Sequence, residues 1–334
     1  MKKLRNNELN TRKPCPPSPK VLCRNYSETK TINQQLHPYF ITGFSDAESS
    51  FMIQMIKRGE NWGVRAIFGY CLHNKDKALL ERIQSYFGGV GGFSVGNNTL
   101  VYRVSSLKDL RNAIIPHFEK YPLLTQKLAD FELFKHAIEL INNKEHLTRE
   151  GLIKILGIKA SINKGLTAEL NQAFPTITPV DRPSVKVVEI PDPNWLAGFT
   201  DGEGCFNVNI VKSKTHKIGA QVQLRFELAQ HSRDSELMSS LIKYWACGKT
   251  TVISIKPVVR FNVVKFSEIN GIIIPFFNKY PLHGNKRLDF ADFVKVTKLV
   301  EDKAHLTDEG LAQIREIKAG MNLNRKDSHK NEEI

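Results

Sequence analysis

Two glutamates occupy matching positions in two related apolar stretches of the chain. Glu203 lies in PNWLAGFTDGEGCF, and Glu48 lies in HPYFITGFSDAESSF. Carboxylate oxygens are hard ligands that suit magnesium or calcium. Divalent ions held by carboxylates beside a polyanion are the parts of a phosphodiester hydrolase. If the fold brings these two carboxylates together, metal-assisted hydrolysis is the chemistry that they could do.

Small residues near the glutamates predict how the two stretches meet. Gly198 and Gly202 are four residues apart, and Gly43 and Ala47 repeat this spacing. Each interior glycine costs a helix about 1 kcal/mol relative to alanine, so the glycines need a reason. Small residues four apart share one helix face and let two backbones approach closely. We expect two helices to cross here, with both glutamates at their C-terminal ends, where a bound cation would offset the negative charge.

The alternative is that both glutamates are surface carboxylates at frayed helix ends. Their recurrence at matching positions favours the metal site. Asp46 and Asp201 also recur, two residues before each glutamate, and point elsewhere on the helix. For these aspartates we expect capping or other structural roles.

The whole chain is duplicated. Glu48 and Glu203 are 155 residues apart, and His73 and His231 are 158 residues apart. The segments FEKYPL and FNKYPL, like KEHLTREGL and KAHLTDEGL, recur 159 residues apart. Two long copies indicate a pseudo-twofold pair of domains rather than a solenoid. We predict a basic disordered leader, a first half-domain, a proline-containing linker, a second half-domain and a disordered tail, at residues 1–36, 37–165, 166–191, 192–325 and 326–334.

Each copy has the pattern of a helix, two strands, a helix, two strands and further helices. Pro38 and Pro193 suit first helical turns, and Asp192 can cap the second of these helices. Thr148 and Thr307 are further expected N-caps. After each glutamate, apolar and polar residues alternate, as in a strand with one buried face. Each half therefore has a sheet with an apolar face for its helices and a polar, amide-rich face left free.

The composition favours a polyanionic partner. The 334 residues include 48 basic and 34 acidic ones, which gives a net charge of +14. Nucleic acid is the first candidate partner, and an anionic membrane surface is the second. No apolar run approaches the roughly 18 residues that a membrane span needs. The five cysteines are widely spaced and form no CxxC pair, so neither a disulfide framework nor a zinc site is indicated.

The two stretches resemble the motif of the LAGLIDADG homing endonucleases. LAGFTDGEG, at residues 196–204, is very similar to that motif, and ITGFSDAES, at residues 41–49, is less so. The resemblance covers about residues 37–325 and is closest to monomeric two-motif members encoded in fungal mitochondrial introns. It implies an α+β fold of two pseudo-symmetric αββαββα half-domains. These pack through their motif helices, and their antiparallel sheets form a saddle over DNA.

The resemblance also implies site residues. The last acid of each motif binds catalytic magnesium in the family, which corresponds to Glu48 and Glu203 here. The backbone carbonyls of Ala47 and Gly202 are implied as further metal ligands. Calcium is implied as an ion that binds without supporting cleavage. Ser49 stands where the family has glycine; if this position requires a positive φ, serine is disfavoured and the first half-site is strained or less active.

Three further side chains match positions near the scissile phosphates of similar enzymes. Lys127 and Lys286 match a lysine close to those phosphates, with simple phosphate or solvent contact as the alternative reading. Gln230 resembles a glutamine that orders water near the metals, and Leu72 is its counterpart in the first copy. Because Gln230 breaks the alternation of its strand, we expect a bulge or bend there.

The resemblance places the polar sheet faces in the major groove. Amides suit adenine and arginines suit guanine there, although each side chain could equally touch phosphate or water. The candidate DNA-binding residues are Gln54, Lys57, Arg58, Arg65, Arg103, Asn207, Asn209, Lys212, Gln221, Gln223, Arg225, Arg260 and Asn262.

We therefore predict a magnesium-dependent, site-specific double-strand DNA endonuclease that acts as a monomer in intron homing, with each active site cutting one strand. The resemblance implies a mitochondrial location and a long DNA target. One alternative is an RNA maturase that binds its own intron RNA. Another is a non-catalytic DNA-binding regulator on the same fold, which is disfavoured because both acids are present.

Overall fold

Two copies of the same succession of elements make up the protein. The computed structural model describes residues 35–186, 189–322 and 325. The elements of the first copy are α1 (Pro38–Glu48), β1 (Ser49–Arg58), β2 (Asn61–His73), α2 (Lys77–Tyr86), β3 (Gly92–Val95), β4 (Thr99–Val104), α3 (Leu107–Asp109), α4 (Ile115–Lys120), α5 (Lys127–Asn142) and α6 (Arg149–Ser161).

A short helix, α7 (Ala168–Ala173), separates the copies. The elements of the second copy are α8 (Pro193–Glu203), β5 (Gly204–Lys212), β6 (Ala220–His231), α9 (Ser235–Trp245), β7 (Lys249–Ile253), β8 (Val258–Val263), α10 (Phe266–Glu268), α11 (Ile274–Lys279), α12 (Lys286–Glu301) and α13 (Asp308–Ala319). The predicted order of helices and strands is confirmed in both copies.

Each copy contains one four-stranded antiparallel sheet. The strand orders are β1-β2-β4-β3 and β5-β6-β8-β7. The expected alternation is confirmed, because Phe206 and Val208 are buried while Asn207 and Asn209, which alternate with them, are partly exposed. Phe51 and Phe206 occupy equivalent central positions in the two apolar cores. The fold is therefore the predicted α+β class, with helices on one face of each sheet.

Local signals at the helix starts are confirmed. Pro38 and Pro193 lie in the first turns of α1 and α8, and Asp192 accepts a hydrogen bond from the backbone amide of Asn194. Helices with proline at the first position lose no hydrogen bond, because that amide has no intrahelical partner. Each motif helix then runs for 11 residues and ends at its glutamate.

The segment between the two copies packs on the first one. The ring of Phe174 lies 5.7 Å from that of Trp62, centroid to centroid, near the tip of the β1–β2 hairpin. The Val180 amide donates to the Gly157 carbonyl at 3.2 Å. Arg182 forms an ion pair with buried Asp130 at 2.6 Å. The segment between α6 and α8 thus includes a helix and lies against the first sheet and its helices.

None of the helices in the described ranges is both long and apolar enough to cross a membrane.

Candidate active site

Helices α1 and α8 cross with backbone against backbone. A side chain at Gly43 would overlap the carbonyl oxygen of Trp195, and one at Gly198 would overlap that of Phe40. A side chain at Gly202 would overlap the methyl group of Ala47. The predicted crossing through small residues is therefore confirmed. Because both helices end just past this crossing, their terminal glutamates are brought to one place.

Glu48 and Glu203 are both partly buried at these helix ends. Burial raises the pKa of Glu48 above its usual range, against the opposing charges of Lys286 and Lys127. Burial, and then the charge of Glu48, raise the pKa of Glu203 to about 7. The charge of Glu48 thus disfavours ionisation of Glu203, as expected where two acids share a site, whereas burial is the main cause of the raised pKa of Glu48.

Lys127 and Lys286 lie at the same place and hold the ends of the motif helices. Lys127 Nζ donates to the carbonyls of Ser45 at 2.8 Å and Ala47 at 3.3 Å. In the second half, Lys286 Nζ donates to the carbonyls of Gly202 at 2.6 Å and Thr200 at 3.1 Å. The bonds to Ala47 and Gly202 satisfy carbonyls that a helix leaves unpaired at its C-terminus, whereas the other two carbonyls also accept the backbone amides of Ser49 and Gly204.

Burial lowers the pKa of Lys127 to about 8 and also lowers that of Lys286. The nearby carboxylates oppose this shift, so both ammonium groups are compensated within the site. The structure therefore brings the two predicted lysines, the two predicted glutamates and the two predicted carbonyls together. It also shows that the lysines are hydrogen-bonded to those carbonyls.

Gln230 reaches the site without a bulge. Its Nε2 lies 3.5 Å from Oε1 of Glu203. The pairing of β6 with β8 is continuous through Gln230, which lies opposite Val259. The expected bulge is wrong because the helix-facing side of β6 runs past the end of α8 at this point. Gln230 simply points from that face toward the carboxylate, whereas its counterpart Leu72 is apolar.

The expectation of strain at Ser49 is also wrong. Ser49 has φ −81° and ψ 164°, which is ordinary extended backbone. Its hydroxyl donates to the Ser45 carbonyl at 2.7 Å. Gly204 at the matching position is extended too, but a side chain there would lie 2.5 Å from the Thr200 methyl group. The methyl group and the backbone carbonyl of Thr200, one turn earlier, thus both crowd a side chain at position 204, whereas the first half has serine at both places.

The paired aspartates have structural roles, as expected. Asp46 accepts hydrogen bonds from the amides of Leu124 and Thr125, at 2.9 and 3.1 Å. Asp201 accepts hydrogen bonds from the amides of His283 and Gly284, at 2.7 and 2.6 Å. Each aspartate thus holds the loop that leads to the lysine of its own half.

Most candidate DNA-binding residues lie on the polar faces of the two sheets. Residues directly opposite in antiparallel strands share a face, so the pairing of the strands decides the face of each residue. The residues that the structure places on these faces are Gln54, Arg58, Arg65, Arg103, Asn207, Asn209, Gln221, Gln223, Arg225, Arg260 and Asn262. Asn262 is only 9% exposed, so it offers little surface to a partner.

Two lysines do not lie on the polar faces, and their expected placement is wrong. Lys57 pairs with Trp62, whose ring packs against Phe174 on the helix side of the sheet. Lys212 pairs with the buried Ala220 and continues the apolar face of β5. Lys57 is the second-to-last residue of β1 and Lys212 is the last residue of β5, and both are exposed, so a lysine on the apolar side still reaches water there.

Glu227 lies on the polar face but is not among the DNA-binding residues predicted from the sequence. It lies 3.9 Å from Arg225 and 3.6 Å from Arg260, measured between ion-pairing atoms. Both arginines are predicted DNA readers, so Glu227 controls their direction. Alternation already places Glu227 on the polar face; the ion pairs depend on strand register, which the sequence does not display.

The donor set fits a hard divalent cation. Two carboxylates and two backbone carbonyls can supply oxygen ligands, and a cation between the acids would offset the repulsion by which Glu48 raises the pKa of Glu203. Within residues 35–186, 189–322 and 325, no group of three His, Cys, Asp or Glu side chains is arranged around a metal position. Any cation site here would therefore use one acid from each half together with backbone and solvent oxygens.

The doubled fold, with one acidic helix end from each half, is that of the homing endonucleases. The family model described as LAGLIDADG endonuclease matches residues 41–138 and 196–297. The chain belongs to this family, and the predicted family is confirmed.

Curated relatives and solved structures agree with this assignment. Probable intron-encoded endonuclease 2 of Neurospora crassa is 40% identical, over 90% of this chain and 70% of the relative. Probable intron-encoded endonuclease 3 of the same organism is 40% identical over 86% of this chain, which spans only 54% of that relative.

Among solved structures, the homing endonuclease I-SmaMI bound to cleaved DNA has a TM-score of 0.85 and 46% identity. The match covers 88% of this chain and 99% of that one. The homing endonuclease I-GzeII in complex with its DNA target has a TM-score of 0.82 and 43% identity, covering 87% and 100% of the two chains.

Proposed function

We propose that this chain is a site-specific double-strand DNA endonuclease with one active site in each half. The observation that carries the proposal is the meeting of Glu48, Glu203, Lys127 and Lys286 at the crossing of α1 and α8. Two acids and two lysines at one place, in a chain with two polar sheet faces, support hydrolysis of the backbone of a duplex that lies on those faces.

Magnesium is the cation that we propose for the site. Glu48, Glu203 and the carbonyls of Ala47 and Gly202 would hold it, because these hard oxygens suit it. A divalent cation supplies Lewis-acid activation of the scissile phosphodiester and of the attacking water. Calcium would bind the same oxygens without supporting cleavage. I-SmaMI has been solved with an uncleaved DNA target in the presence of calcium ions, which supports this part of the proposal.

The protein's own groups have separate tasks. Glu203 must lose its proton before it can hold a cation, and its pKa of about 7 makes that possible near neutral pH. Lys127 and Lys286 would turn from the helix-end carbonyls toward the phosphate and offset its developing charge. Gln230, next to Glu203, would orient water in one of the two sites.

The reaction is a hydrolysis at phosphorus. A water oxygen forms a bond to phosphorus, and the bond from phosphorus to the 3′ oxygen breaks. The 3′ oxygen leaves with a proton, so the products are a 5′ phosphate and a 3′ hydroxyl. Each half would cut one strand, since each contributes one acid and one lysine.

DNA recognition would come from the polar faces. Amides and arginines there can read base edges in the major groove, and the net charge of +14 supports binding to phosphates. Lys57 and Lys212, at the strand ends, would contact the backbone farther out. The solved structures of I-SmaMI and I-GzeII contain their DNA targets, which supports this reading.

Intron homing in mitochondria by a monomer is the biological role that we propose. Relatives named as intron-encoded endonucleases, and one from ND4 intron 1 of Podospora anserina, support it. Intron RNA is a second partner to test in competition with DNA. The internal pseudo-twofold axis already supplies both acids, so no second copy is required for two cuts.

Cleavage of a plasmid carrying the uninterrupted insertion junction tests the proposal. We expect a single linear product with magnesium, and none with chelator or with Glu203→Gln, while the variant keeps its DNA affinity. Glu301→Gln, at an exposed ion pair, is the matched control and should cut normally. Tight binding without strand breaks by the wild-type protein would replace this proposal with a regulator or a maturase.

A further inference from the structure

A short motif recurs in both halves and is not part of the catalytic set. It reads HNKD at His73–Asp76 and HSRD at His231–Asp234. In each copy, Nδ1 of the histidine accepts a hydrogen bond from the amide two residues on, at 3.2 and 3.1 Å. This bond caps a single 3-10 turn that ends at the aspartate. The motif therefore presents an aspartate in a fixed direction.

Both aspartates point across the interface into the opposite half. Asp234 accepts a hydrogen bond from the Gln126 amide at 2.7 Å. Asp76 accepts one from the Asn285 amide, also at 2.7 Å. The two bonds are related by the pseudo-twofold axis, so the same contact is made twice. Short bonds of this kind from an amide to a carboxylate are the strong, charge-assisted type.

The amides that donate these two bonds belong to Gln126 and Asn285, the residues that precede the catalytic lysines. Helix α5 begins at Lys127 and α12 begins at Lys286. In this part of the structure, Gln126 and Asn285 occupy the N-cap positions without a side-chain cap of their own. The exposed amides of a helix start need acceptors, and a carboxylate also suits the positive end of the helix dipole.

The loop before each catalytic lysine is thus bound by one carboxylate from its own half and one from the opposite half. In the first half, Asp46 accepts from the amides of Leu124 and Thr125, and Asp234 of the other half accepts from the next amide. In the second half, Asp201 accepts from two consecutive amides, and Asp76 of the first half accepts from the amide that follows them. Three consecutive amides therefore have carboxylate acceptors, two from the same half and one from the opposite half.

We propose that Asp76 and Asp234 are positioning residues, each of which fixes the catalytic lysine of the opposite half. The inference rests on the proposed function, in which Lys127 and Lys286 act in separate sites. It follows that neither half forms a complete active site alone, although each has its own acid and its own lysine. Asp234 serves the site of Lys127, and Asp76 serves that of Lys286.

The packing leaves these helix starts little freedom to find another acceptor. Asp234 is only 4% exposed. A Cβ added at Gly284 would lie 3.1 Å from Oδ1 of Asp76 and 2.8 Å from Oδ1 of Asp201. Loss of one aspartate should therefore shift the first turn of the helix and, with it, the lysine that begins the helix.

Strand-specific cleavage rates test the proposal. The two strands of a target duplex carry different labels, and Lys127→Ala and Lys286→Ala identify which strand each site cuts. We expect Asp234→Ala to slow the strand assigned to Lys127 about 10-fold or more, with a much smaller effect on the other strand. Asp76→Ala should do the reverse, and the asparagine variants, which keep an acceptor, should restore most of the rate.

Loss of a different helix cap provides the matched control. Thr148→Ala and Thr307→Ala remove the caps of α6 and α13, away from the lysines. These variants should cut both strands in the wild-type ratio even if they are less stable. Equal slowing of both strands by Asp234→Ala or Asp76→Ala would overturn the proposal and make both aspartates simple interface residues.

A second readout does not depend on activity. Hydrogen exchange of the full-length protein should show faster exchange at the start of α5 in Asp234→Ala and at the start of α12 in Asp76→Ala. Unchanged exchange would contradict the cross-interface caps directly. If the wild-type protein cuts neither strand, the proposed function fails, whereas the exchange result still decides whether these aspartates fix the lysine helices.

Discussion

Trp195 of the second half donates a hydrogen bond from its indole nitrogen to Oδ2 of Asp46 in the first half, at 2.8 Å. The pseudo-symmetric partner of Trp195 is Phe40, which has no donor. Accordingly, Oδ1 of Asp201 has no hydrogen-bond partner among the described residues. Burial raises the pKa of Asp201 to about 6. The interface is thus symmetric in outline and asymmetric in its polar contacts.

The hydrogen bond from Trp195 to Asp46 predicts that a conservative substitution of the tryptophan is unusually destabilising. Trp195→Phe should lower the free energy of unfolding by about 1.5–3 kcal/mol more than burial alone accounts for, since it removes a bond to a buried carboxylate. Denaturant unfolding measures this. Trp245→Phe is the control, because Nε1 of that buried tryptophan has no partner among the described residues. Equal losses in both variants would show that the indole bond contributes nothing.

The raised pKa of Glu203 predicts a pH-dependent stability. Its folded-state pKa of about 7 exceeds the ordinary value of 4.5. The stability contributed by the protonated group is therefore fully present below about pH 4.5 and is lost as the pH rises through 7. Without divalent cations, Glu203→Gln should raise the melting temperature at pH 8 and change it little at pH 4.5. A stabilisation that is equal at both pH values would argue against the raised pKa.

The same acid predicts how cation binding depends on pH. A proton on Glu203 competes with the cation, so the apparent affinity should rise as the pH goes from about 6 to 8. Calcium titration in the presence of DNA, followed by calorimetry, measures this without turnover. Glu203→Gln should weaken binding and remove most of the pH dependence, whereas Glu301→Gln should leave both unchanged.

Serine and glycine at the ends of the motif helices should not be interchangeable. Gly204→Ser should destabilise the protein by about 1–3 kcal/mol, because the new side chain overlaps the methyl group and carbonyl of Thr200. Adding Thr200→Ser should recover the part of the loss that the methyl group causes, since Ser45 coexists with Ser49 in the first half. Thermal unfolding of the single and double variants measures the effect. Additive losses would mean that the methyl group of Thr200 is not a cause.

Placement on the sheets predicts two kinds of DNA-binding variant. Arg225→Ala and Arg260→Ala, on the polar face, should each cost about 1–3 kcal/mol on the intact target and relax the preference at one base pair. Lys57→Ala and Lys212→Ala should weaken binding to all sequences alike and reduce its salt dependence. Affinities on a set of singly substituted targets at two salt concentrations separate these outcomes. A base preference lost with Lys212 would contradict its placement.

The sequence predicted the features that depend on local rules. Small residues four apart identified the helix crossing, and alternation after Glu48 and Glu203 identified the strands and their faces. Repetition then extended each inference to the other half. Caps such as Thr148 followed from residue type and position alone.

The features that escaped prediction depend on distances between elements. The direction of Gln230 depends on where α8 ends beneath β6, and alternation along one strand contains no such information. Ser49 looked unfavourable because glycine at the matching position was attributed to backbone conformation. The actual reason for Gly204 is crowding by Thr200. The placement of Lys57 and Lys212 was wrong because each position was assigned to the polar face from the polarity of its own side chain. Counting the alternation along the strand places both on the apolar face. The HxxD motif could have been noticed as a repeat, but its acceptor role needs the opposite half.

The backbone contact at Gly43 and Gly198 has a consequence for the ends of the broken DNA. Two helices that touch through their main chains cannot slide past each other or approach more closely without a steric clash, so the crossing holds the spacing between the two acids. On a duplex, a fixed spacing between two cutting points becomes a fixed stagger between the nicks. We therefore expect the length of the single-stranded overhangs to depend on these two glycines, which lie at the helix crossing and not on the polar sheet faces.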